Sequence, residues 1–253
     1  MIIEIRQTKS NLEQVFEILT NGNLSYFGRT SYSKESFTTQ LFYPNLKLIY
    51  ETQSSSLEES RNILSNKWIS KEEITECCGI YDNHANLLGL INQDCKESTN
   101  NYYTITLGKD IVRVYCLLKN KTMQLLFVDV TGKQIAQGEK VVTDGINLHY
   151  YRIYLLDDYL RFQRIISLFV LYTVNIGYRV KEVSLKKNDL IPLYSSLEQK
   201  PMNYDPEWIK NNFFEYLLDN DVSDSKDYLG KNLKILFTLF GSAILSIALY
   251  MIL

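Results

Sequence analysis

Strict alternation of apolar and polar residues dominates the middle of the chain. Tyr103-Thr104-Ile105-Thr106-Leu107 is its plainest stretch. Ile111-Val112-Arg113-Val114-Tyr115 repeats the pattern with Arg113 outward. A period of two is the mark of a half-buried strand. The pattern predicts a β-meander from Ile74 to Leu156, with strands near 74–82, 87–93, 102–107, 111–118, 122–130, 133–140 and 148–156. Gly108-Lys109-Asp110 and Lys119-Asn120-Lys121 are tight connections. Earlier strands are predicted at Leu24–Thr30, Phe37–Tyr43 and Leu46–Thr52, the last two paired through Pro44-Asn45. The spacing before them is different. Leu12, Val15, Phe16 and Leu19 recur at helical intervals and predict a helix over 11–19, stopped by Asn21-Gly22-Asn23. Ser56-Leu57-Glu58-Glu59 fits a capping box and predicts a short helix to Leu64.

Two runs break the alternation. Ile165 to Tyr178 reads IISLFVLYTVNIGY, 14 residues without a charge. That is too short for a bilayer. Arg161 and Arg164 lie in its first turns, and the Asp157-Asp158 pair that opens it suits a helix start. A helix apolar on nearly every side must be buried on every side. A β-barrel with the helix through its middle does this, with Ile165, Ile166, Leu168, Phe169, Leu171 and Tyr172 as its core.

The second run, Ile235 to Leu253, has 19 residues without a charge. About 20 helical residues span a hydrocarbon core of ~30 Å. Its lipid-facing candidates are Ile235, Leu236, Phe237, Leu239, Phe240, Ile244, Leu245, Ile247, Leu249 and Ile252. Thr238, Gly241, Ser242 and Ser246 interrupt it only weakly, since a helix satisfies such hydroxyls on its own carbonyls. Lys226, Lys231 and Lys234 precede it, so positive-inside reasoning keeps the N-terminal body cytoplasmic. The expectation is a single-pass tail anchor. The competing reading is a buried core helix.

Composition narrows the classes. Hydrophobic residues are 45% and charged residues 22%, which excludes a disordered chain and a polytopic membrane protein. The 19 Tyr and 11 Phe read as strand filling. With 27 basic and 29 acidic residues, the chain lacks the basic footprint of a nucleic-acid binder. Cys77, Cys78, Cys95 and Cys116 form no C-x-x-C pair and read as reduced core thiols; a Cys95–Cys116 disulfide stays open. The start of the chain shows no secretory signal pattern.

No nucleophile elbow, zinc-protease motif or phosphate loop is present. His84 is expected exposed in a turn and His149 is expected structural, beside a strand. The expectation is therefore no catalytic set, no metal site and no cofactor. The remaining partners are membrane lipid through the C-terminal helix, and a protein partner or second copy.

One internal echo stands out. Ile80-Tyr81-Asp82-Asn83-His84-Ala85-Asn86-Leu87-Leu88-Gly89 aligns with Phe127-Val128-Asp129-Val130-Thr131-Gly132-Lys133-Gln134-Ile135-Ala136. Each is a strand, an Asp, a short turn and a strand. Asp accepts hydrogen bonds from turn amides two residues on. The second copy gives strand, D-x-x-G-K (Asp129 to Lys133), strand. Tyr151-Arg152-Ile153-Tyr154-Leu155-Leu156-Asp157-Asp158 and the apolar helix follow.

This combination resembles the bacterial tubby C-terminal-like domain proteins. Their superfamily holds tubby, LURP-one-related and phospholipid scramblase proteins. The resemblance covers about residues 74–180 and rests on degenerate motifs. It implies a twelve-stranded barrel around a hydrophobic helix, and an association with membranes. The Asp129-Val130-Thr131-Gly132 turn lacks the alternating acids of a calcium loop, and no scramblase or phosphoinositide residue carries over. Many simple relatives end at the central helix, whereas this chain continues for more than 70 residues.

The expected fold is mainly β (α+β): a tubby-like antiparallel β-barrel around a central hydrophobic helix, plus a C-terminal transmembrane helix. Its divisions are an N-terminal helix with the first strands (1–73), a barrel core (74–180) with the helix at 157–178, a polar and helical extension (181–232) and the anchor (233–253). In the extension, Asp205-Pro206 starts a helix whose apolar side holds Trp208, Phe213, Phe214, Tyr216, Leu217 and Leu218. It packs on the domain or lies in the headgroup layer, the first being favoured by its few cations. The function expected is a non-enzymatic, membrane-proximal binding or scaffold module. A scramblase-like lipid handler is the alternative, carried by analogy alone.

Overall fold

The computed structural model describes residues 1–10, 13–32, 37–54, 77–96, 100–119, 122–141, 148–184, 195–196, 205 and 207–217. Twelve strands among them form one antiparallel sheet that closes on itself. They are β1 (Ile2–Ser10), β2 (Glu13–Thr20), β3 (Asn23–Tyr32), β4 (Phe37–Phe42), β5 (Leu48–Ser54), β6 (Cys77–Tyr81), β7 (Leu87–Lys96), β8 (Asn100–Leu107), β9 (Asp110–Lys119), β10 (Thr122–Asp129), β11 (Gln134–Lys140) and β12 (Tyr150–Leu155). Each pairs with its sequence neighbours, and β12 returns to β1 with Ile2 opposite Tyr154. A 3-10 turn (Asp157–Phe162) then leads into helix α1 (Gln163–Ser184). A two-residue strand, β13 (Ser195–Ser196), lies parallel to Leu117 and Leu118 of β9.

Closure fixes two ends. Connections 21–22, 43–47, 82–86, 108–109 and 129–133 lie at one of them, with Met1 and Leu155, and the chain enters the barrel from there. We call it the hairpin end.

The interior is filled by α1. Every residue from Ile165 to Val174 is buried, including the six singled out from the sequence. Phe169 meets Tyr103 edge-on at 5.3 Å and Phe127 at 6.1 Å, and Tyr172 lies 5.7 Å from Phe37. Alternating wall residues supply the other half of this core: Ile3 and Ile5, Phe16 and Ile18, Val112 and Val114, Leu125 and Phe127. At Gly28 the helix comes so close that an added Cβ would sit 2.5 Å from a Leu171 methyl. One row of the inner wall is polar: Gln14, Thr30, Thr39 and Thr52 lie side by side across β2–β5, all buried. Thr30 reaches Gln14 at 3.4 Å, and the Thr39 amide donates to the Thr52 hydroxyl at 3.1 Å.

Three expectations are corrected. The predicted helix over 11–19 is strand β2 in its described part. Gln14, Phe16 and Ile18 point inward with period two, and the apolar outer Val15 and Leu19 mimicked a helical stripe. Asn21-Gly22 is a hairpin turn and not a helix stop: both residues have positive φ (47° and 80°), as a type I′ turn requires. Asp157-Asp158 does not cap a helix; Leu156 is the cap residue, and Asp157 faces the Met1 ammonium at 2.9 Å. β1–β5 belong to the same closed sheet as β6–β12, so the segment before residue 74 supplies strands of the barrel. Cys116 is a free buried thiol, which removes the Cys95–Cys116 disulfide. Burial pushes its pKa up to about 12, so it is an inert thiol.

Contacts divide the chain into two compact units, Met1–Tyr204 and Asp205–Leu253. In the second, residues 208–217 are helical. Asp205 caps this start, its Oδ1 accepting the Glu207 amide at 2.9 Å. The Trp208 ring lies tilted against Phe213 at 5.6 Å, whereas Phe214 is exposed. Among the described residues no helix is long and apolar enough to cross a membrane. The run 235–253 and the predicted helix at 56–64 lie outside the described residues.

Candidate functional site at the hairpin end

The internal echo is a shared turn geometry. Asp82 Oδ1 accepts the amides of His84 (2.8 Å) and Asn86 (2.9 Å); Asp129 Oδ1 accepts those of Thr131 (2.9 Å) and Lys133 (3.0 Å). The fourth residue has positive φ in both, Ala85 at 60° and Gly132 at 86°. A third copy, invisible in the sequence, occupies Tyr43–Lys47. Its backbone bonds match and Leu46 has φ 63°. Each copy carries a β-bulge beside the turn, its extra residue (Ile49, Leu88 and Ile135) lying on the strand that follows.

The entry to α1 is stitched to these turns. Tyr159 donates to Asp129 Oδ2 at 3.1 Å and lies under Lys133, 5.2 Å away. Arg161 meets Asp110 at 3.5 Å beside the 108–109 turn. Gln163 donates to Thr20 at 2.5 Å beside the 21–22 turn. Asp129 is partly buried, which would raise its pKa. The Thr131 hydroxyl, the Lys133 and Thr131 amides and the Tyr159 hydroxyl outweigh that and hold it below the usual carboxylate range.

Arg164 comes next and enters a nest of tyrosines. Its Nε donates to the Tyr26 hydroxyl at 3.4 Å, and its guanidinium lies 5.3 Å from the Tyr43 ring centre. The Tyr26 and Tyr43 rings are 6.4 Å apart. Tyr50 completes the nest: burial raises its pKa, and Arg164, hydrogen-bonded to it, works the other way. The Tyr26 hydrogen bond, with Tyr43 and Tyr50 nearby, pushes the Arg164 pKa further up. Among the described residues no carboxylate is paired with Arg164. A planar cation with unspent donors, flanked by phenol hydroxyls, is suited to hold an anionic or carbonyl oxygen.

A second polar cluster lies on the outer face of β1 and β12. Glu4, nearly buried, accepts Arg6 at 2.6 Å and the Tyr150 hydroxyl, and Arg152 stands 3.7 Å away. Arg152 also donates to the Tyr150 hydroxyl at 3.1 Å. The four residues span the seam where the last strand meets the first, so they act as a clasp.

The two histidines belong to neither set, although His149 directly precedes Tyr150 and its carbonyl accepts the Gln7 amide at 2.9 Å. His84 is exposed in its turn; His149 stacks on Tyr151 at 6.2 Å, and its amide donates to Gln7. Among the described residues no three potential ligands gather to hold a metal. The tyrosine nest escaped the sequence reading because Tyr26, Tyr43 and Tyr50 look like strand filling until the barrel closes. Arg164, the one cation set into the base of an apolar helix, was the available signal. Comparison with family models, curated proteins and solved structures returns no match.

Proposed function

We propose that the chain is a tail-anchored membrane protein whose tubby-like barrel serves as a non-enzymatic binding or scaffold module close to the lipid surface. The observation that carries this reading is the uncharged run from Ile235 to Leu253, preceded by Lys226, Lys231 and Lys234. The tubby-like assignment is supported by the closed barrel, the filled interior and the D-x-x-G-K hairpin ahead of the helix. A filled interior moves binding to the rims and the outer wall. The Arg164 nest is the rim feature best equipped to hold a ligand.

Alkaline carbonate extraction of membranes carrying the full chain or residues 1–232 tests the anchor. The full chain stays in the pellet and the shortened one is released. Release of both makes the terminal run a core helix and removes the tail anchor.

A further inference from the structure

Among the described residues, the exposed large hydrophobic side chains of the barrel unit are gathered in one place. Leu24, Leu46, Leu88, Val130 and Leu160 are 44%, 69%, 38%, 61% and 48% exposed. Single exposed hydrophobics are ordinary. These five all lie at the hairpin end: Leu24 and Leu88 just after turns, Leu46 and Val130 within turns, Leu160 in the 3-10 entry. The wall of β2–β5 presents Glu13 paired with Arg29, and Gln40 paired with Glu51.

Cations share the same turns. Lys47, Lys109 and Lys133 are exposed on the connections 43–47, 108–109 and 129–133. Most carboxylates of this end are engaged. Asp82 and Asp129 hold their turns, Asp110 holds Arg161 and Asp157 faces Met1, which leaves Asp158. Asp82, Asp129 and Asp158 stay charged and balance the three lysines, so the distinctive character of this end toward solvent is its apolar tips.

We propose that the hairpin end is a lipid-docking face, its apolar tips entering the headgroup layer of a phospholipid bilayer while Lys47, Lys109 and Lys133 reach headgroup phosphates. This deepens, and rests on, the membrane-proximal reading above. The separation of the tips favours lipid over a folded partner. Polar residues such as Asn45, His84 and Thr131 stand on the turns, so there is no single patch for the apolar core of a protein interface. A fluid surface takes isolated insertions and adds electrostatic attraction for nearby lysines.

The test uses the full chain in phosphatidylcholine vesicles containing phosphatidylserine. Spin labels are placed at Leu46→Cys and Val130→Cys, and at Arg113→Cys on the exposed wall. Wild-type labelling is subtracted, and circular dichroism checks each variant's fold. The tip labels are expected to relax with dissolved oxygen and be shielded from a water-soluble nickel chelate, while the wall label stays open to the chelate. Tip labels as chelate-accessible as the wall label overturn the docking face, even if carbonate leaves the chain in the pellet. If carbonate releases the chain but the tip labels still enter added vesicles, the anchor fails and the docking face stands.

Discussion

At the residue scale, the three matching turns make a controlled comparison. Their fourth position is left-handed and is filled by Leu46, Ala85 and Gly132. An L-residue there costs about 1–2 kcal/mol, of which glycine returns part as unfolded-state entropy. Ala85→Gly is therefore expected to raise stability by about 0.5–1 kcal/mol, and Gly132→Ala to lower it by a similar amount. Equal shifts of the same sign in urea melts would show that φ is not what governs these positions. Asp129 gives a pH dependence. Its folded pKa is depressed, so its contribution is present above the unfolded carboxylate pKa and is lost as pH falls through the folded one. Asp129→Asn is expected to flatten that acid limb of the stability curve. In the nest, Arg164 favours the charged form of Tyr50, so Arg164→Met moves tyrosinate absorbance titration to higher pH. An unchanged titration would place Tyr50 outside the reach of Arg164.

At the element scale, α1 and the wall were shaped for one another. Gly28 admits Leu171 where any side chain would collide with it. Gly28→Val is expected to cost about 1–3 kcal/mol by overpacking, and Leu171→Ala in the same chain to recover part of that. Strictly additive losses would mean the two do not touch. Phe169→Ala removes the ring that Tyr103 and Phe127 meet edge-on, at a cost of about 3–5 kcal/mol. This scale also shows what was legible. The alternation around Ile105 and Val114 marked β8 and β9 because each buries one face and wets the other. β2 was misread because its outer Val15 and Leu19 added a second apolar row, and period two then looks like period 3.6 over eight residues. The Arg164 nest gathers Tyr26, Tyr43 and Tyr50 from β3, the 43–47 turn and β5, and no local pattern encodes that meeting.

At the scale of the whole molecule, closure joins residues about as far apart as the barrel allows. The Tyr150 hydroxyl donates to a Glu4 carboxylate 146 positions away, and the Arg152 guanidinium rests on both. Removing Glu4 strands Arg152 and the Tyr150 hydroxyl at the seam. Glu4→Ala is expected to lower stability by about 2 kcal/mol, read from the shift of the urea midpoint at constant slope. No shift would mean that backbone pairing alone holds the seam.

The sequence by itself determined the strands of the meander, the helix that had to be buried on all sides and the barrel needed to bury it. These follow from local periodicity and from the cost of exposing an all-apolar surface. It also placed a 19-residue uncharged run at the C-terminus, whose length and composition pose the membrane question directly. Only the tertiary structure decided that Glu13–Thr20 is a strand and that three turns share one geometry. It alone brought an arginine to three tyrosines and five exposed apolar tips to one end. Those features arise when β12 meets β1, because closure assigns every turn to one end or the other and every side chain to the inside or the outside.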